Sequence, residues 1–207
     1  MQGTVAVTDF GWYDFLERHK PPEVNFWTPS DRRRLAAPEF SPFFFKLKAP
    51  HRAIAGFAFF ARWSSLPPWL AWECFGDGNG CESLSEFESR LATIRSRINY
   101  VPTDPVANIG CILLVQPVFF PREAWIPQPT DWRDRTVSSA EYDLTRGEGL
   151  RIWTACQERA GMSIAADAVL PQVAGPPAQR YASPHLLTTV LGQRTFRVSV
   201  TQAYAGA

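Results

Sequence analysis

The chain has 207 residues, of which 45% are hydrophobic and 20% charged, and its formal net charge is +1. These values fit one globular domain of about 100–200 residues, alone or with a short appendage, and exclude a disordered chain and a polybasic binder. No run reaches the roughly 18 consecutive apolar residues of a membrane-spanning helix, and the N-terminus has no signal-peptide pattern, so we expect a cytoplasmic protein.

The first 63 residues predict one helix and three strands. Residues 9–19 have helical spacing, and Pro21-Pro22 ends this helix because proline cannot continue its hydrogen-bond ladder. The strands that follow are Glu23–Trp27, Phe43–Lys48 and Ile54–Trp63. Seventeen of the 28 aromatic residues lie between positions 10 and 75, and nine of these seventeen are in the three strands.

The chain after residue 63 predicts three helices and one more strand. A helix with proline in its first turn is expected over Leu66–Phe75, and a capping box at Ser83 to Glu86 opens an amphipathic helix that ends at Arg97. The apolar run Ile109–Phe120 predicts a buried strand, and Gly147–Arg159 predicts the last helix. Residues 161–184, rich in alanine, proline and glutamine, predict a linker before a basic tail.

Motifs of common catalytic sites are absent from the sequence. It has no GxSxG elbow, P-loop, HExxH motif or GxGxxG after a strand. Its four cysteines form no CxxC pair and its three histidines do not cluster, which predicts reduced thiols and no metal site. The polar residues favour binding over catalysis, and we expect neither an enzyme nor a cofactor in this chain.

The aromatic strands have two interpretations. Most of Phe43–Trp63 is expected to form the core of a small barrel, while some aromatic residues line a pocket for a flat, uncharged ring. Stacking a base on an aromatic side chain contributes about 1–3 kcal/mol, and extruding a base from a duplex costs a few kcal/mol, so two such faces offset extrusion. The pocket candidates are Trp12, Tyr13, Asn25, Phe26, Trp27, Phe44, Lys46 and His51. The candidates for phosphate contacts are Arg32, Arg33, Arg34, Lys48, Arg52 and Arg62.

Eight ordered blocks resemble the N-terminal region of bacterial HNH restriction endonucleases. The first two are DFGWYDFL and EVNFWTP, and all eight lie at residues 9–16, 23–29, 44–51, 70–76, 109–113, 125–127, 142–149 and 191–198. In that family the HNH nuclease begins just after the position of Tyr204. Because the chain stops at Ala207, the resemblance implies that the metal-binding and catalytic histidines of the nuclease are not in it. A divalent metal is expected only for that absent module.

The order of a strand, an FxxK-type strand and a glycine-containing returning strand also resembles the PUA-like superfold, which includes EVE, ASCH and SRA-type domains. This resemblance implies an α+β fold, a PUA-like bent β-barrel with flanking helices, over residues 4–160. Residues 161–207 would be a linker and basic tail leading to the nuclease.

Together the two resemblances imply a specificity module that recognises modified double-stranded DNA and targets a fused HNH nuclease. A modified base would be flipped into the aromatic pocket. The marks implied are methylated or hydroxymethylated cytosine, methylated adenine and backbone phosphorothioate, and the sequence does not choose among them. The alternatives are a PUA-like module that binds RNA, a small aromatic ligand or a protein, or a phosphorothioate reader without base flipping. A homodimer is also open.

Overall fold

Seven strands form one mixed sheet in a computed structural model that describes residues 1–161 except 103–106, 134, 135 and 137. The strands are β1 (Gln2–Thr8), β2 (Glu23–Thr28), β3 (Pro42–Leu47), β4 (Ala53–Leu66), β5 (Ile109–Phe119), β6 (Ile126–Pro127) and β7 (Ser139–Asp143). Their order is β2-β5-β4-β3-β1-β7, with β6 paired to the start of β4. The predicted linker and basic tail from position 162 onward lie outside the described residues.

Strand β4 lies between β3 and β5 and so connects the pair β2-β5 to the group β3-β1-β7. It pairs with β3 along its first half and with β5 from Gly56 to Leu66, and the register with β5 shifts twice, around Ala58 and Ala61. Such bulges bend a strand and increase its twist. The predicted α+β class with flanking helices is confirmed, and the strands predicted to form a bent β-barrel belong to this seven-stranded sheet.

Besides the two-residue β6, the strands β1 and β7 were not predicted from the sequence. β1 pairs in parallel with β3 and antiparallel with β7, so all of these contacts are remote in sequence. β1 is built from small residues such as Gly3, Thr4 and Ala6, and β7 is partly exposed, so neither has the aromatic content or strict alternation that marks a strand. Tertiary pairing therefore determines both strands.

The predicted helices are confirmed, with small shifts at their ends. They are α1 (Phe10–His19), α2 (Pro68–Phe75), α3 (Leu84–Arg97) and α4 (Gly147–Arg159). Asp9 caps α1 by accepting a hydrogen bond from the Gly11 amide at 3.0 Å, and Ser83 caps α3 by accepting from the Glu86 amide at 3.2 Å. No helix in the described ranges is both long and apolar enough to cross a membrane.

The core lies on both faces of the sheet. Along β3, Phe43 and Phe45 pack with α1 residues such as Trp12 and Leu16, whereas Phe44 packs on the other face. This alternation follows from the two-residue period of a strand. The expectation that most aromatic residues of β3 and β4 form the core is confirmed, and all four cysteines are buried and form no disulfide.

An ion pair ties α4 to the loop that follows β6. The Arg151 guanidinium donates to both carboxylate oxygens of Glu148 at 2.9 and 2.7 Å, and Thr130 N donates to Oε2 at 2.7 Å. Arg151 also donates to the backbone oxygens of Pro127 and Gln128. This network fixes residues 127–130 against the helix.

The same ion pair predicts a defined loss of stability in acid. Hydrogen bonds from Arg151 lower the pKa of Glu148 to about 2 in the folded protein, against about 4.3 when unfolded. The stabilisation is therefore fully present above pH 5 and is lost as the pH falls towards 2. Because the pair is partly exposed, we expect a contribution of about 1 kcal/mol. Urea unfolding of wild type and Glu148→Gln between pH 6 and pH 2 measures it. A constant difference between the two proteins across this range would contradict the prediction.

Candidate functional site

Two adjoining cavities open where β1 and β3 end. One has a volume of about 200 Å³ and is lined mainly by apolar side chains, and we call it the apolar cavity. The other, of about 370 Å³, is lined by Lys46, Lys48 and Arg52, and we call it the basic cavity. Val7 and Lys48 line both, so the two cavities share a wall.

The apolar cavity has three aromatic side chains in its wall. Trp12 comes from α1, and Phe26 and Trp27 come from the end of β2. The rings of Trp12 and Phe26 meet edge to face, with centroids 5.4 Å apart, and Trp27 packs edge to face on Phe87 of α3 at 5.1 Å. Rings that are themselves packed lose little conformational entropy when a ligand binds. The cavity thus presents preformed aromatic surfaces.

Both indole rings are held by one buried pair of asparagines. Asn25 Nδ2 donates to Asn79 Oδ1 at 2.9 Å, and both residues are at most 1% exposed. Trp12 Nε1 donates to the backbone oxygen of Asn25 at 3.3 Å, and Trp27 Nε1 donates to that of Asn79 at 3.0 Å. Asn79 also donates to the backbone oxygens of Ala71 and Gly76. The pair therefore fixes the aromatic wall from behind.

Gly80 is required at the position beside Trp12. Its φ of +81° is in the left-handed region, and a Cβ atom there would lie 2.3 Å from Cδ1 of the Trp12 ring. The glycine lets the turn that carries Asn79 approach the indole closely.

Polar groups line the apolar cavity beside the rings. They come from Asp9, Thr28, Ser138 and Lys48. The Asp9 carboxylate already accepts the hydrogen bond that caps α1, and its remaining lone pairs can accept others. Arg95 donates to the backbone oxygen of Pro29 at 3.0 Å, and this contact attaches the cavity loop to α3.

The basic cavity is built around a buried lysine. Lys46 is 5% exposed, and its Nζ lies 4.8 Å from the centroid of the Trp132 ring, which is a cation–π contact. Lys48 and Arg52 are exposed on either side of the turn after β3. Gln128 completes the wall, and its backbone nitrogen donates to the backbone oxygen of Arg52 at 3.1 Å.

The structure separates the predicted pocket residues into three groups. Trp12, Phe26 and Trp27 line the apolar cavity, and Lys46 lines the basic one. Asn25 is fully buried behind the wall and acts through the two tryptophans, so its assignment as a ligand contact is corrected.

The remaining pocket candidates line neither cavity. Phe44 is fully buried in the core on the other face of the sheet, where its ring lies 6.0 Å from that of Trp153, so its assignment to the pocket is wrong. Tyr13 is buried, donates to the Phe120 backbone oxygen and accepts a hydrogen bond from Trp125. The His51 ring contacts that of Phe10 in a tilted arrangement, with centroids 4.7 Å apart.

The predicted phosphate contacts are also divided. Lys48 and Arg52 line the basic cavity. Arg33 donates to Oγ of Ser138, a wall residue of the apolar cavity, at 3.4 Å. Arg32 and Arg34 lie over Tyr100 and Trp63, and Arg62 is exposed on β4 without lining either cavity.

Sequence reasoning missed several wall residues. Val7 lies on β1 and Ser138 lies next to β7, and neither strand was predicted. Gln128 and Trp132 lie in a loop without a periodic pattern. The only sequence signal for Trp132 was a bulky aromatic in a proline-rich loop.

Comparisons with known proteins give a distant similarity. No protein-family model matches the chain, and no curated protein matches its sequence significantly. Among solved structures it is similar to the ASCH protein of Zymomonas mobilis, with 14% identity and a TM-score of 0.45 over 72% of this chain and 94% of that one. Crystal structures of two mutants of that protein match at TM-scores of 0.41 and 0.42, with 14% and 13% identity over 73% of this chain and 96% and 94% of theirs. ASCH domains are one of the PUA-like groups named above.

Proposed function

We propose that this chain is a nucleic-acid-binding module that recognises modified DNA by holding one extruded base in the apolar cavity. The observation that carries the proposal is the joint geometry of the two cavities, with aromatic rings in one and cations in the other. A nucleotide combines a flat ring with an anionic group in the same way. The proposal rests on this chain's own residues.

The size of the apolar cavity suits a single ring system. Its volume of about 200 Å³ is below the roughly 300 Å³ at which pockets for drug-sized ligands begin. Stacking on such aromatic walls contributes about 1–3 kcal/mol per base, which offsets most of the few kcal/mol needed to extrude a base. A methyl group on the base adds apolar contact with the rings and thereby favours the modified form.

The carboxylate of Asp9 favours a base with an exocyclic amine. Carboxylates accept hydrogen bonds from cytosine N4, and adenine N6 is a donor of the same kind. Thymine has no exocyclic amine. Among the marks considered, this supports modified cytosine or adenine.

The wider role follows from the sequence resemblance. Similarity to the N-terminal region of HNH restriction endonucleases supports a module that directs a nuclease to foreign DNA. Exposed arginines at the rim, such as Arg33, would contact phosphates without reading sequence.

Binding to a matched set of duplexes tests the proposal. We expect at least tenfold tighter binding to a 20-bp duplex with 5-methylcytosine, 5-hydroxymethylcytosine or N6-methyladenine than to the unmodified duplex, measured by fluorescence anisotropy at fixed salt. Tight binding reserved for a phosphorothioate duplex would contradict the base pocket. Equal affinity for every duplex would overturn the proposal. Preference for single-stranded RNA of the same sequence would instead favour an RNA-binding module.

A further inference from the structure

The basic cavity brings together three cations next to the proposed base site. Lys46, Lys48 and Arg52 line it, and none of its described wall residues is acidic. Lys46 is nearly buried, and its contact with Trp132 gives the ammonium group a defined position. Asp9, the carboxylate in the wall of the apolar cavity, does not line the basic cavity.

The loop opposite these cations is held in place. Gln128 is hydrogen-bonded to the backbone of Arg52, and Arg151 of α4 donates to the Gln128 backbone oxygen at 3.3 Å. The Gln128 backbone in the cavity wall is therefore held in place. The side chains of Lys48 and Arg52 are exposed and become ordered when an anion enters.

Lys48 links the two cavities. Its side chain is exposed and lines both of them, together with Val7 from the end of β1. A group bound in the basic cavity is therefore adjacent to the ring in the apolar cavity.

We infer that the basic cavity binds a backbone phosphate next to the nucleotide whose base occupies the apolar cavity, so that base and phosphate are recognised as one unit. This inference rests on the proposed function. Lys48 and Arg52, the exposed cations of the wall, contact the phosphate oxygens. The phosphate diester carries one negative charge per nucleotide, which matches these two side chains.

A coupling experiment tests the inference. The probe is the marked duplex that the wild type binds best, with a neutral methylphosphonate at the linkage on the 5′ or the 3′ side of the marked nucleotide. We expect one of these two duplexes to bind wild type about tenfold more weakly. In the double variant Lys48→Gln, Arg52→Gln, the same methylphosphonate should weaken binding less than twofold, because the cations that contact this phosphate are already removed.

Two controls separate this site from general charge effects. A methylphosphonate five nucleotides away should weaken both proteins equally. The double variant Arg18→Gln, Lys20→Gln removes two cations at the far end of α1, about 15 Å along the helix, and should keep the tenfold loss. The salt dependence should also fall, with the slope of log K against log salt lower by about 1 in the cavity variant alone, because one phosphate contact is lost.

The outcomes distinguish the two proposals. If the mark is discriminated but neither neutral linkage weakens wild type more than the cavity variant, this inference is wrong and the proposed function stands. If no duplex is discriminated, the proposed function fails, and the inference fails with it. Unchanged thermal melting of the exposed-residue variants verifies that they fold.

Discussion

Replacing Trp27 by alanine is expected to weaken binding of the preferred marked duplex by about 5- to 150-fold, the range that corresponds to one lost stacking contact of about 1–3 kcal/mol. Trp27 is partly exposed and forms the cavity wall between Phe87 and the opening. Affinity for the unmodified duplex should change much less, because its base stays in the helix. Anisotropy titrations of both duplexes measure the ratio.

Matched variants distinguish an effect on the wall of the apolar cavity from an effect on the stability of the fold. Trp69 is 49% exposed on α2 and lines neither cavity, so Trp69→Ala should leave both affinities unchanged. Trp27→Phe keeps a stacking face and should retain most discrimination. Trp12 is 5% exposed, and Trp12→Ala should destabilise the protein by about 3–5 kcal/mol, so loss of binding there is not diagnostic. Equal loss in Trp69→Ala and Trp27→Ala would contradict the assigned wall.

Replacing Asn79 by alanine is expected to lower the free energy of unfolding by about 2–4 kcal/mol. The change leaves the buried amide of Asn25 without Asn79 Oδ1 and removes the donor to the backbone oxygens of Ala71 and Gly76. Each buried polar group left unpaired costs about 1–3 kcal/mol. Urea denaturation measures the difference.

A surface asparagine provides the control for this measurement. Asn108 is exposed and donates only to Ser65 Oγ among the contacts described, so Asn108→Ala should change stability by less than about 0.5 kcal/mol. The Asn79 variant should also lose discrimination at temperatures where it is folded, because the two indoles lose their common support. A stable Asn79→Ala protein with full discrimination would show that the asparagine pair does not position the wall.

Local chemistry made parts of the fold predictable. Three predicted features depend only on residues close together in sequence, and the structure confirms them. They are the Ser83 capping box, the prolines that end α1 and the apolar run of β5. β1 and β7 depend on pairing between segments at opposite ends of the described chain, and no local pattern marks them.

The candidate site shows the same limit. The position of aromatic side chains next to turns was enough to select Trp12 and Trp27, which line the apolar cavity. Alternation along β3 predicts that Phe44 points away from Phe43 and Phe45, but it does not say which face lies near the cavity. Gln128 and Trp132 reach the basic cavity only because β6 pairs with β4, a contact that the sequence does not reveal.

The sheet order also constrains how the protein is assembled during synthesis. Among the described strands, β2 pairs with β5 alone, and its partner residues lie more than 80 positions further along the chain. On the ribosome, Phe26 and Trp27 therefore emerge long before the strand that fixes them. Such long-range pairing slows folding, and an unpaired aromatic strand is prone to aggregation in the interval. A nascent chain that ends before β5 holds every aromatic ring of the apolar cavity but lacks the partner that orders β2.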